Sequence, residues 1–204
     1  MPGQPKTLVG FEVGPILDGD GPWTSYKAYL KTMLEKQLAQ APKEPVLNSM
    51  SSVWPRVEKF LEHLDSDDTI PNEPNFVFTH GDLDVQNILV EPSSLGSKTW
   101  KITALLDWEW SGMFPAEEEY FASYDFIRRD ENDTKLFYDL LEAGGVSTPR
   151  TIPDFEKRKA LYDLRENIAP WYLLDVEDLE SEVVKEKVRE AKALVEHCLD
   201  IVGY

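Results

Sequence analysis

Three polar side chains sit where burial alone would not put them. Asp82 follows the short apolar run Phe76-Val77-Phe78, Asn87 comes five residues later and opens Ile88-Leu89-Val90, and Asp107 closes a third run, Ile102 to Leu106. Carboxylate and amide oxygens are hard ligands. Such a set suits Mg²⁺, which takes one or two carboxylates and keeps several waters. Each residue also has a plainer reading, Asp82 and Asp107 as turn formers and Asn87 as a turn or strand-edge residue. Metal chemistry needs a fold that gathers all three at one point.

The flanking elements are expected to do so. Phe76–Phe78 and Ile88–Val90 are short and rich in aromatic and β-branched residues, which predicts strands. Glu91–Lys98 carries Pro, Ser and Gly and predicts a turn, which makes Trp100–Leu106 the returning strand of a hairpin. Asn87 then starts one strand and Asp107 ends its antiparallel partner. Both fall at the same end of the ribbon, beside the loop that carries Asp82.

His80-Gly81-Asp82, with Asn87 at plus five and Asp107-Trp108-Glu109-Trp110 closing the hairpin, resembles the catalytic and metal loops of the aminoglycoside phosphotransferase and choline kinase-like family. HGD stands where protein kinases have HRD, and DWEW where they have DFG. The resemblance implies transfer of the ATP γ-phosphoryl group to a hydroxyl of a small, cationic acceptor. It makes Asp82 the catalytic base, gives Asn87 and Asp107 the Mg²⁺ on the nucleotide phosphates, and has His80 brace the loop. The acceptor is expected against the helices after Trp110, with Glu109, Trp110, Glu117, Glu118 and Tyr124 as candidate lining, although such carboxylates also serve as plain helix surface. Asp84 departs from the pattern, because many relatives carry His or Lys there. Its carboxylate would repel a phosphate unless it recruits a further cation or points to solvent.

The fold that the resemblance implies is α+β and mainly helical. It is a protein-kinase-like C-terminal lobe over residues 23–204, with a small β-hairpin carrying the catalytic and metal loops, behind an extended lead-in over residues 1–22. The phosphate-covering loop, strand lysine and helix glutamate of an N-terminal lobe find no counterpart in the sequence. The expectation is therefore that the N-terminal lobe is absent and that activity of the chain alone is impaired. One alternative is a non-catalytic scaffolding lobe, a homodimer joined through the face that an N-terminal lobe would cover. Another is metal-assisted chemistry without ATP.

Composition sets the outer bounds. A chain of 204 residues with 42% hydrophobic content and six Trp predicts a folded globule. The net charge of −17 argues against a nucleic-acid partner and favours a cationic small molecule in a cleft, or else serves solubility. Cys198 is the single cysteine, so no internal disulfide forms. With no apolar signal core in MPGQPKTLVG and no run of about 18 apolar residues, the chain reads as cytoplasmic, without a membrane partner. Asp18-Gly19-Asp20-Gly21 begins like a calcium loop but lacks its later ligands, and reads as a turn.

Helices are expected on both sides of the hairpin. Thr24 or Ser25 caps one running to about Gln40, and a second spans about Ser52–Leu64 with Pro55 in its first turn. Beyond the hairpin, helices are predicted over Glu117–Arg129, from a cap at Asn132 or Asp133 to Gly144-Gly145, from Asp154 to Asn167, and over about Leu179–Val202. A short strand is expected at Leu8–Val13.

Overall fold

Ser25 sets where the first helix begins: its Oγ accepts the backbone N–H of Ala28 at 3.2 Å, and α1 runs Tyr26–Gln40. The computed structural model describes residues 14–15, 23–70, 76–94, 96, 98–123, 130–179 and 181–204. The expected strand at Leu8–Val13 lies outside them. Two 3-10 turns, Ala41–Lys43 and Pro45–Met50, lead to α2, Trp54–His63. Pro55 sits in its first turn, where a missing N–H breaks no helical bond. Ser52 precedes the helix in turn backbone, and Leu64 already belongs to a following 3-10 turn.

Five short strands among the described residues form two antiparallel sheets: β1 (Gly14–Pro15), β2 (Phe76–Thr79), β3 (Ile88–Pro92), β4 (Trp100–Leu105) and β5 (Gly112–Pro115). The hairpin pairs β3 with β4, Ile88 opposite Leu105, with a bulge between Leu89 and Val90. β5 was not expected from the sequence. It lies between β1 and β2, pairing Thr79 with Gly112 and Phe78 with Met113. This register fixes the chain on both sides of the site, because β2 delivers His80 and β5 follows Trp110.

The helix expected over Glu117–Arg129 is short. α3 spans Glu118–Ala122, and Ser123 turns to extended backbone at φ −119° and ψ 177°. Tyr124 and Phe126 lie outside the described residues. α4 (Glu131–Ala143) is capped two or three residues earlier than expected, by Asp130, whose side chain accepts from the N–H groups of Asn132 and Asp133. α5 runs Phe155–Asn167 after Asp154, which has left-handed backbone and no side-chain cap. α6 runs Glu182–Val202 and closes on Gly203. It starts after Leu179, in line with a Ser181 cap position.

The core sits between α1, α2, α5 and α6, where Leu30, Leu34, Phe60, Leu64, Leu164 and Leu199 are fully buried. At about 1.5–3 kcal/mol for each such side chain, this packing is the rigid body on which the sheets rest. No described helix is long and apolar enough to cross a membrane.

Candidate active site

Gly81 is where the loop after β2 must bend. Its φ is +79°, and a Cβ there would lie 2.6 Å from the carbonyl oxygen of Trp110. Only glycine meets both conditions without strain. The His80–Asp82 loop is therefore laid directly on the turn that follows Asp107.

Asp82 and Asn87 touch. Asn87 Nδ2 donates to the Asp82 carbonyl at 2.8 Å and to its Oδ2 at 3.0 Å. What carries Asn87 back to Asp82 is a 3-10 turn, Val85–Asn87, capped by Asp84, whose Oδ1 accepts the Val85 N–H at 2.7 Å. Asp84 thus has a local task that the sequence did not disclose. With Nδ2 committed, Asn87 Oδ1 is the oxygen left open to a cation, and among the described residues no group donates to it.

Asp107 is tied in through its neighbour. The Leu106 N–H donates to the Asn87 carbonyl at 2.9 Å, and His80 Nε2 donates to the Leu106 carbonyl at 2.8 Å. His80 Nδ1 accepts the Asp82 N–H at 3.3 Å, so the buried imidazole bridges the loop of Asp82 and the turn of Asp107. Asp107 itself has left-handed backbone, φ +62°, a conformation uncommon for residues other than glycine and frequent at functional sites. The Trp108 ring lies 4.6 Å from His80 and stacks on Phe78 at 5.6 Å.

Among the described residues no three His, Cys, Asp or Glu side chains cluster as a metal cage. The oxygens that this sequence would offer a cation are the Asp82 and Asp107 carboxylates and the Asn87 amide, of which the structure joins Asp82 and Asn87 directly. Such a sparse, hard set fits Mg²⁺ shared with water and phosphate oxygens, and does not fit a dedicated all-protein site.

The three successive glutamates after β5 have three different partners. Glu117 pairs with Arg158 and does not line the cleft beside Asp82. Glu118 is buried on Arg165, whose Nη1 lies 2.9 and 3.1 Å from its two oxygens, and it accepts from Tyr26 Oη at 3.0 Å. Glu119, which sequence reasoning passed over, holds the His80–Asp82 loop. Its Oε2 accepts the His80 N–H at 2.6 Å and its Oε1 the Gly81 N–H at 3.3 Å. Ser123 Oγ donates to the same carboxylate at 2.6 Å and accepts the Leu83 N–H at 2.8 Å. Nothing in a run of Glu-Glu-Glu marks the third as different; only the fold does.

A cleft of about 350 Å³ opens beside Asp82, lined among others by Gly81, Trp110, Glu118, Tyr162, Arg165 and Trp171. The Arg165 guanidinium lies 5.1 Å from the Tyr29 ring and 4.6 Å from the Tyr162 ring, and its Nε donates to Glu166 at 2.8 Å. Burial pushes the Glu118 carboxyl up, with Arg165 opposing. Burial likewise pushes the Tyr162 hydroxyl up to about 12. Trp110 and Trp171 are exposed at the mouth, whereas Glu109 is exposed and outside the lining.

A protein-family model described as the phosphotransferase enzyme family matches residues 18–161, well over half of the chain. No curated protein and no solved structure matches the chain at a significant level.

Proposed function

Because the chain belongs to the phosphotransferase enzyme family, we propose that it transfers the γ-phosphoryl group of ATP to a hydroxyl of a small, cationic acceptor. Asp82 accepts the proton of that hydroxyl as its oxygen attacks phosphorus, and the bond to ADP breaks in line. A positioned base of this kind contributes about 10²–10⁴-fold. Asn87 Oδ1 and the Asp107 carboxylate would hold Mg²⁺, which when bound neutralises charge on the phosphates. His80 and Glu119 fix the loop so that Asp82 is oriented before the acceptor arrives.

The observation that carries this reading is the direct Asp82–Asn87 hydrogen bond, with Asp107 one residue beyond the Leu106 that both Asn87 and His80 hold. The acceptor class is supported by the cleft, which sets Asp82, Glu118 and Glu166 against the single cation Arg165 among its lining residues. Exposed Trp faces at its mouth suit an ammonium group. The helical body and the two small sheets are read as the counterpart of a kinase C-terminal lobe.

The test is Mg²⁺-dependent ADP release from ATP with a panel of amino alcohols and aminoglycosides. Acceptor-stimulated turnover that disappears in Asp82→Ala is the expected result. Turnover no greater than in that variant, across the panel, would refute the reading.

A further inference from the structure

The charges lining the cleft beside Asp82 are not equally available to a ligand. Glu118 is committed: both its oxygens meet Arg165 Nη1, and one also takes the Tyr26 hydroxyl. Arg165 is committed as well. Its Nη1 serves Glu118 and its Nε serves Glu166, while the Tyr29 and Tyr162 rings flank the buried guanidinium. Glu166 differs. Its Oε1 accepts from Arg165 Nε, its Oε2 has no partner among the described residues, and its side chain is 44% exposed. With Asp82 set aside for the acceptor hydroxyl, the lining carries one net negative charge, and Glu166 is where it is open.

Tyr29 supplies a second, independent observation. It is 5% exposed and lines the cleft. Among the described residues its hydroxyl has no hydrogen-bond partner, yet it is not sealed in, since Trp54 Nε1 is the one orphaned polar side-chain atom there that is closed off from solvent. The Tyr29 hydroxyl therefore opens onto the cleft. Such a group, largely desolvated and without a partner, gains most from a ligand that hydrogen-bonds to it. Apolar Met33, Phe114 and Ala122 also line the wall, and a volume of about 350 Å³ is near the small end of ligand sites. We propose that the cleft selects an acceptor with a single positive charge and a compact apolar body, its ammonium held between Glu166 Oε2 and the Tyr29 hydroxyl oxygen. An anion meets no uncommitted cation there, and a polyamine meets one open carboxylate for several charges. The term acceptor rests on the phosphotransfer reading, but the binding itself needs no ATP.

The test is isothermal titration calorimetry on the full chain, without nucleotide and at physiological salt. The probe is phenylethanolamine, with one ammonium, one ring and one hydroxyl. Phenylethylene glycol replaces the ammonium by a neutral hydroxyl, and mandelate is the anionic counterpart. Phenylethanolamine is expected to bind at least about tenfold tighter than either, and kanamycin, a polycation, is expected not to displace it at equal concentration. Glu166→Gln keeps an oxygen for Arg165 Nε and is expected to bring the amine and the glycol within about threefold of each other. Tyr29→Phe removes the hydroxyl alone and is expected to weaken the amine about fivefold. Circular dichroism is measured on both variants, and should Glu166→Gln fail to fold, Tyr29→Phe decides. Absence of amine binding, an amine preference untouched by these substitutions, or displacement by kanamycin overturns the proposal. The expected binding without any phosphoryl transfer from ATP would uphold the site and refute the phosphotransfer reading.

Discussion

Glu119 Oε2 accepts the backbone N–H of His80 at 2.6 Å, so the loop bearing Asp82 hangs from a helix that follows it by 39 residues. The same carboxylate takes the Gly81 N–H and the Ser123 hydroxyl. Removing it leaves several donors without an acceptor, at about 1–3 kcal/mol for each one that stays buried. Glu119→Ala is expected to speed amide exchange over residues 80–83 and to lower turnover by slowing the chemical step more than it weakens ATP binding. Glu119→Gln, which keeps one oxygen, is expected to fall between. Unchanged exchange in the alanine variant would remove Glu119 from this role.

Gly81 offers a sharper test of how the loop is seated. Alanine there meets a positive φ, costing roughly 1–2 kcal/mol, and a contact of 2.6 Å with the Trp110 carbonyl. Backbone cannot yield as a flexible side chain would. Gly81→Ala is expected to lower the denaturant midpoint and to abolish turnover. A variant of wild-type stability and activity would show that the loop does not rest on that turn.

The buried pair under the cleft responds to single and double substitution differently. Glu118→Leu or Arg165→Met alone strands a partner, and breaking such a pair costs about 3–5 kcal/mol. Replacing both, as Glu118→Leu with Arg165→Met, is expected to recover much of that loss, because apolar replacements carry no desolvation penalty. A double-mutant cycle by urea unfolding measures the coupling. Additive losses would show that the two side chains act independently.

Acid is expected to loosen α4 before the helical core. Hydrogen bonds from Lys135 and Arg150 hold the Asp139 carboxyl below its ordinary value. Those from Thr148 and Arg150 do the same for Glu142, against a smaller opposing effect of burial. A carboxyl depressed on folding adds stability above its unfolded value, about 4, and loses it as pH falls through the lower folded value. Arg150 joins both groups, at 2.8 and 3.0 Å, and so ties α4 to the turn after it. Hydrogen exchange on acidification should therefore rise across residues 131–150 while α5 and α6 stay protected. Simultaneous opening of all three helices would contradict this.

The hairpin was legible because its signals are local: short β-rich runs, a Pro-Ser-Gly turn, and polar residues at fixed spacing. β5 was not legible. Gly112-Met113-Phe114-Pro115 has no alternation to read, and its partner β2 lies more than thirty residues earlier in sequence. The helix expected to reach Arg129 stops at Ser123, whose hydroxyl is engaged by Glu119 and whose oxygen receives the Leu83 N–H. Composition does not reveal such a tertiary demand. The same holds for Glu117, Glu118 and Glu119. As sequence they are one acidic helix start, and in space they serve an ion pair with Arg158, a buried floor and a loop anchor. Asp84 shows the reverse case: its suspected conflict with phosphate coexists with a local cap on the turn that carries Asn87.

Trp108 follows Asp107 directly, and its indole edges up to His80 while its Nε1 is fastened to the Leu105 carbonyl at 2.9 Å. The protein therefore carries its own optical gauge at the heart of the site. Whatever shifts the imidazole or the aspartate beside it also alters the surroundings of that chromophore, so occupancy can be followed by light emission without attaching any label.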